Sequence, residues 1–98
     1  MNLNVLYTPY SRETLQAVYV FIVTKFGLRS GEKFLAEVEE TVKLIASNPF
    51  MFKASDIDDH VRIAFVARQC SLFYRVTETV IHMLYFWDNR QEPFEAKP

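Results

Sequence analysis

An α+β domain of order β-α-α-β-β-β, with a helical hairpin packed on one face of a mainly antiparallel sheet, follows from three features of this 98-residue sequence. Apolar residues recur at helical spacing through two consecutive stretches between residues 9 and 47. Beyond residue 60 the period falls to two, the pattern of strands with one buried face. The last such run, Val80 to Trp87, is apolar on both faces, as expected of an interior strand.

The elements can be taken in chain order. Leu3 to Tyr7 is short and apolar and reads as a strand. Thr8 is placed to cap a helix, with Pro9 at the first helical position, where its missing N–H costs nothing. Leu15, Val18, Tyr19, Ile22 and Phe26 then form one stripe. Gly27 suits a left-handed helix end that folds Leu28 back on Val23. Ser30 is the expected cap of a second helix, with Glu32 in its first turn and a stripe of Phe34, Leu35, Val38, Val42 and Ile45. Asn48-Pro49 stops it. A link of about three residues makes the two helices antiparallel. Short turns near Arg68-Gln69 and Glu78-Thr79 imply a three-stranded meander, and the interior character of the last strand places the N-terminal strand beside it.

Length and composition bound the rest. Half the residues are apolar and 23% are charged, which is globular composition. Residues 1–98 are read as one domain, with 94–98 as a short tail. Nine Phe, five Tyr and one Trp fill a core that is small at this size. The formal net charge of −1 excludes a broadly basic nucleic-acid binder. The longest apolar run, Ala17 to Val23, is seven residues, against about 20 for a membrane span, so no membrane association is expected. Without a secretory pattern at the N-terminus, and with Cys70 alone, a cytoplasmic location is expected. Residues 31–59 hold three lysines against seven carboxylates, and residues 60–90 hold four arginines against two. The sheet is therefore the mildly basic part.

Tight turns would pair residue 62 with 75 and 75 with 82. The core face then collects Val61, Ile63, Phe65, Leu72, Tyr74, Val76, Ile81, Met83 and Tyr85. The opposite face collects Arg62, Arg75 and His82 in a row beside Ala64, Phe73 and Leu84. Adjacent like charges in a sheet repel, so such a row calls for a phosphate or an acidic partner. The alternative is that each arginine extends over Phe73 and pairs with Glu78 or Asp88. Other chemistry is struck out. Two His and one Cys give no zinc spacing, neither Gly stands in a phosphate loop, and Asp56-Ile57-Asp58-Asp59 lacks the Gly and Glu of a calcium loop. No metal or other cofactor is expected, and no small-molecule substrate.

Several segments together carry a family likeness: Glu32-Lys33-Phe34-Leu35, Asn48-Pro49, Val61-Arg62, Ser71-Leu72-Phe73-Tyr74-Arg75-Val76, and Phe86-Trp87-Asp88-Asn89-Arg90-Gln91-Glu92-Pro93. From about Val5 to Pro93 the chain resembles the RelE/ParE superfamily of type II toxin–antitoxin toxins, of plasmid-stabilisation type. The resemblance implies the strand and helix order given above, a cognate antitoxin as partner, and one of two targets. RelE-like members cut mRNA on the ribosome without metal, using basic residues of the sheet and a C-terminal Tyr or His. ParE-like members poison DNA gyrase. Here Ser71 stands where RelE-like toxins carry an arginine, and Phe94 where a tyrosine is wanted; a phenyl ring can neither donate nor accept a proton. A ParE-like, gyrase-type inhibitor is therefore the favoured expectation. An mRNA endonuclease is the alternative, with Arg62, Arg75, His82 and Arg90 as candidate catalytic groups. A homologue that binds its antitoxin without toxicity is the third possibility. Arg62, Arg75, Phe73, Trp87 and Arg90 are the expected partner-binding residues, Trp87 more as an anchor for the tail.

Overall fold

Thr8 decides where the first strand stops and the first helix starts. Its backbone is extended, its Oγ1 accepts the Ser11 N–H at 3.0 Å, and Pro9 opens the helix. In the computed structural model, which describes residues 3–56, 58–67 and 70–90, β1 (Asn4–Tyr7) leads into α1 (Pro9–Phe26). The helix α2 (Leu28–Ser47) follows after one residue rather than three. Gly27 makes that possible with a φ of 98°, where other residues would be strained. Its N–H closes α1 on the Val23 carbonyl at 2.9 Å, and its own carbonyl accepts the Gly31 N–H of α2. Positive φ at Gly27 was expected, but its ψ of 167° is extended, not left-handed helical. Ser30 consequently lies inside the first turn of α2 and does not cap it; its hydroxyl donates back to the Phe26 carbonyl at 3.3 Å.

The strands β2 (Val61–Ala67), β3 (Cys70–Val76) and β4 (Val80–Asp88) form the meander, and the sheet order is β1-β4-β3-β2. β1 takes its expected place beside β4 and pairs parallel with it, and the other pairs are antiparallel. The helical hairpin covers one face. There Val18, Phe34, Val38 and Ile45 of the helices pack on Ala64, Val66, Leu72, Tyr74, Ile81, Met83 and Phe86.

Two bulges overturn the expected register. Ala67 faces Cys70, while the expected turn at Arg68-Gln69 lies outside the described residues; Val66 is an extra residue, so Phe65 faces Ser71 and Arg62 faces Tyr74 instead of Arg75. A shift of one residue sends every β2 side chain beyond it to the other face. Arg62 and Ala64 therefore turn to the helix side, while Val61, Ile63 and Phe65 leave the core face assigned to them. In the second hairpin Arg75 does face His82, but Leu84 is extra, so Tyr85 faces Phe73 on the open side and Phe86 enters the core. Helix α1 holds this second bulge. The Thr8 hydroxyl donates to the Leu84 carbonyl at 3.1 Å, and Thr14 Oγ1 accepts the Phe86 N–H at 2.9 Å.

Candidate functional site

The sheet face away from the helices carries Ile63, Phe65, Ser71, Phe73, Arg75, His82, Tyr85 and Trp87. Its centre is aromatic. Phe73 stacks on Tyr85 with centroids 4.5 Å apart, and Tyr10 of α1 leans on Tyr85 at 5.9 Å. Phe73 is buried, Trp87 is half-buried, and Phe65 stands 68% exposed. Beside Trp87, the Ser71 hydroxyl donates to Asn89 Oδ1 at 3.0 Å.

The expected row of Arg62, Arg75 and His82 does not form. Only Arg75 and His82 are cross-strand neighbours. Arg75 is exposed and lies 3.4 Å from Asp58, whose carboxyl is held below its usual range chiefly by the His60 backbone N–H. Arg62, on the helix side, donates to the carbonyls of Phe52 at 2.5 Å and Phe50 at 3.4 Å, with its guanidinium 5.0 Å from the Phe50 ring centre. Arg90 is turned away from the open face as well. Its Nε and Nη2 grip both oxygens of Asp88 at 2.9 and 2.8 Å, its backbone N–H adds a third bond, and its guanidinium lies 4.6 Å from the centre of Phe21 and 5.8 Å from that of Phe26. The pair is mutually tuned. Burial raises the Asp88 pKa, but the Arg90 hydrogen bonds outweigh it and hold the carboxyl below its ordinary value; the same bonds raise that of Arg90.

The remaining chemistry is sparse. Burial pushes the Cys70 thiol up to about 12, which keeps it protonated and unreactive at neutral pH. Among the described residues no three His, Cys, Asp or Glu side chains converge on a metal-sized space, and no helix is long and apolar enough to cross a membrane. Phe94, the residue that departs from the nuclease pattern, lies outside the described residues.

Comparison with known families now decides the kinship. Residues 5–93 match the model of the ParE toxin of the type II toxin–antitoxin system, parDE. The chain belongs to the ParE toxin family. Its fold is shared with the chromosomal ParDE toxin–antitoxin system from P. aeruginosa, at a TM-score of 0.75 and 22% identity over 88% of this chain and 95% of that one. The E. coli DinJ-YafQ toxin-antitoxin complex gives a TM-score of 0.63 at 9% identity, covering 92% of this chain and 96% of the other. The YoeB dimer from Staphylococcus aureus gives 0.62 at 16% identity, covering 87% and 94%. A search of curated protein sequences finds no significant match.

For this ParE-family chain, sequence reasoning placed Phe73, Arg75 and His82 on the open face, gave Trp87 as an anchor, and missed Phe65 and Tyr85. Both were assigned to the core because the bulges at Val66 and Leu84 leave no mark in composition: each extra residue is an ordinary apolar one. The Asp88–Arg90 clamp was within reach, since two opposite charges stand two residues apart just where the last strand ends.

Proposed function

We propose that the chain is the toxin of a type II toxin–antitoxin module, neutralised in the cytoplasm by a cognate antitoxin, and that it acts ParE-like, as a non-nucleolytic inhibitor of DNA gyrase. The observation that carries this reading is the dispersal of the guanidinium groups. Metal-free RNA cleavage needs cations gathered around one phosphate and a nearby acid–base pair. Arg62 is spent on loop carbonyls beneath the helices and Arg90 on Asp88, so neither stands with Arg75. The match to the ParE model supports the same branch. The antitoxin meets the open sheet face at its exposed part, where Phe65 offers apolar area and Arg75 a cation to an acidic, folding-on-binding segment.

One observation favours the second reading, a ribosome-dependent mRNA endonuclease: Arg75 and His82 are direct cross-strand neighbours, a guanidinium beside an imidazole. Induction of the chain with and without its neighbouring gene separates the branches. Growth arrest with intact message, an induced DNA-damage response and inhibition of purified gyrase supercoiling is the expected result. Codon-positioned cuts in message, abolished by His82→Ala, would establish the endonuclease instead.

A further inference from the structure

The sheet has two edges, and they differ in how they are protected. The outer edge of β2 is covered and then bent. Residues 53–55 run beside it, with the Ser55 N–H on the Val61 carbonyl at 2.7 Å, the Ile63 N–H on the Lys53 carbonyl at 3.1 Å and a bridge between Ala54 and Arg62. Beyond them the bulge at Val66 interrupts the ladder. Both devices keep a strand edge from pairing with another chain. β1, at the opposite edge, has neither. Its four residues pair with β4 without a shift and include no charge and no proline.

Two bonds fix where the β1 backbone groups point. The Thr8 N–H reaches β4, on the Met83 carbonyl at 3.2 Å, and the Leu3 N–H points away from it, to the Ala46 carbonyl of α2 at 3.3 Å. Successive residues of a strand alternate in this respect, so Leu6 bonds to β4 while Val5 and Tyr7 turn both N–H and C=O outward. Among the described residues no partner meets these four groups. Leu6 lies between them, 52% exposed and on the open side with His82. On the helix side Tyr7, Leu35 and Val42 line a groove along α2. Glu39 and Lys43 border it and Arg12 lies 5.8 Å from the Tyr7 ring centre, so both signs of charge are present and no single-sign field selects a nucleic acid or a lipid surface.

A second copy of β1 fits this edge. Set antiparallel about a two-fold axis at Leu6, Val5 of each chain faces Tyr7 of the other. In a hydrogen-bonded antiparallel pair the two facing residues exchange both N–H···O=C bonds, so every outward group on both strands is used. The neighbouring registers fail. An axis at Val5 sets Tyr7 against Leu3, whose N–H is already held by Ala46, and one at Tyr7 sets Val5 against Pro9, which has no N–H. With the axis at Leu6, that leucine meets Leu6 of the partner subunit across a non-hydrogen-bonded pair, where side chains come closest. We infer that this chain self-associates through β1 into a two-fold dimer with one continuous sheet, four strands from each copy. The axis stands perpendicular to the sheet, so both open faces lie on one side and the dimer presents the site twice.

Sedimentation of the purified chain without antitoxin, from about 1 to 500 µM, tests the dimer. Expected is a concentration-dependent species of twice the single-chain mass. Leu6→Lys sets two like charges face to face and should raise the dissociation constant about ten-fold or more with an unchanged melt, as should Leu6→Glu. Mixing the two variants should restore the dimer, because only an axis at Leu6 puts position 6 against itself. A single-chain mass throughout overturns the dimer. So does a dimer that Leu6→Lys leaves intact, or one that both charges weaken and the mixture does not restore. A wild-type chain that stays single yet loses antitoxin binding through Leu6→Lys assigns the edge to the antitoxin and overturns the second copy. If the charged variants melt early, Leu6→Cys decides, since Cys70 is buried and does not compete. Mild oxidation should link two Leu6→Cys chains covalently and leave Asn4→Cys chains, whose thiol would face Thr8, unlinked. Equal linking of both variants overturns the register, and linking of neither overturns the dimer.

Discussion

Asp88 governs how the last strand ends. Its carboxylate faces the buried side of the sheet, opposite Cys70, and three hydrogen bonds from Arg90 favour its charged form there against the effect of burial. The aspartate pKa is lowered in the folded chain, so the pair stabilises the fold above the unfolded value of about 3.9. That contribution is lost as the pH falls through the lower folded value. Asp88→Asn is therefore expected to cost about 1–2 kcal/mol at pH 7, below the usual range for a fully buried pair because the Arg90 side chain is 32% exposed to screening water. Urea unfolding of both proteins, repeated from neutral pH into acid, checks the sign. The gap should narrow with acidification, and a gap that stays constant would show that packing, not charge, had been lost. The same geometry makes Arg90 a support for the fold before it is anything else, so loss of toxicity in Arg90→Ala has to be read beside its melting temperature.

At the scale of the elements, close approach of the two helices depends on Gly31. A Cβ there would lie 2.5 Å from Val23 Cγ2 and 3.0 Å from Tyr19 Cε1, and a valine methyl cannot swing away. Gly31→Ala gains about 1 kcal/mol of helix propensity but incurs overpacking of about 1–3 kcal/mol, so a net loss is expected in the urea midpoint. A gain would mean that the hairpin can widen freely. The β4 bulge makes a comparable demand. Thr14→Val removes the acceptor of the Phe86 N–H and should cost about 1–3 kcal/mol, seen in the same measurement and in faster exchange of that amide. These elements also show what sequence makes legible. Thr8-Pro9, Gly27 and Asn48-Pro49 punctuate the chain by local chemistry, and the element order follows from them and from the change of period. The bulges at Val66 and Leu84 are decided by tertiary partners, the latter by threonines more than 70 positions away, and local pattern holds no trace of such contacts. The fold was therefore readable while the composition of the open face was not, because one inserted residue reverses every side chain beyond it.

Across the whole molecule the two sides of the sheet obey different rules. The helix side is closed by non-local packing, and the open side is an aromatic surface with one arginine row position filled by Arg75 alone. Stability should be just as unevenly spread. β3 and β4 are paired on both edges and carry the fully buried Leu72, Tyr74, Ile81 and Met83. β1 has four residues, sits at the sheet edge, and meets its partner β4 only across the intervening helices and hairpins. Closing so long a loop for so short a parallel ladder leaves it the cheapest part of the sheet to open. Native-state hydrogen exchange should find the β3–β4 amides opening only with global unfolding, and those of β1 through a smaller opening at lower free energy. Equal protection in β1 would mean that it is held by more than the ladder, with the Thr8 hydroxyl bond to the Leu84 carbonyl the first to remove: Thr8→Ala would then lower β1 protection and leave β3 unchanged.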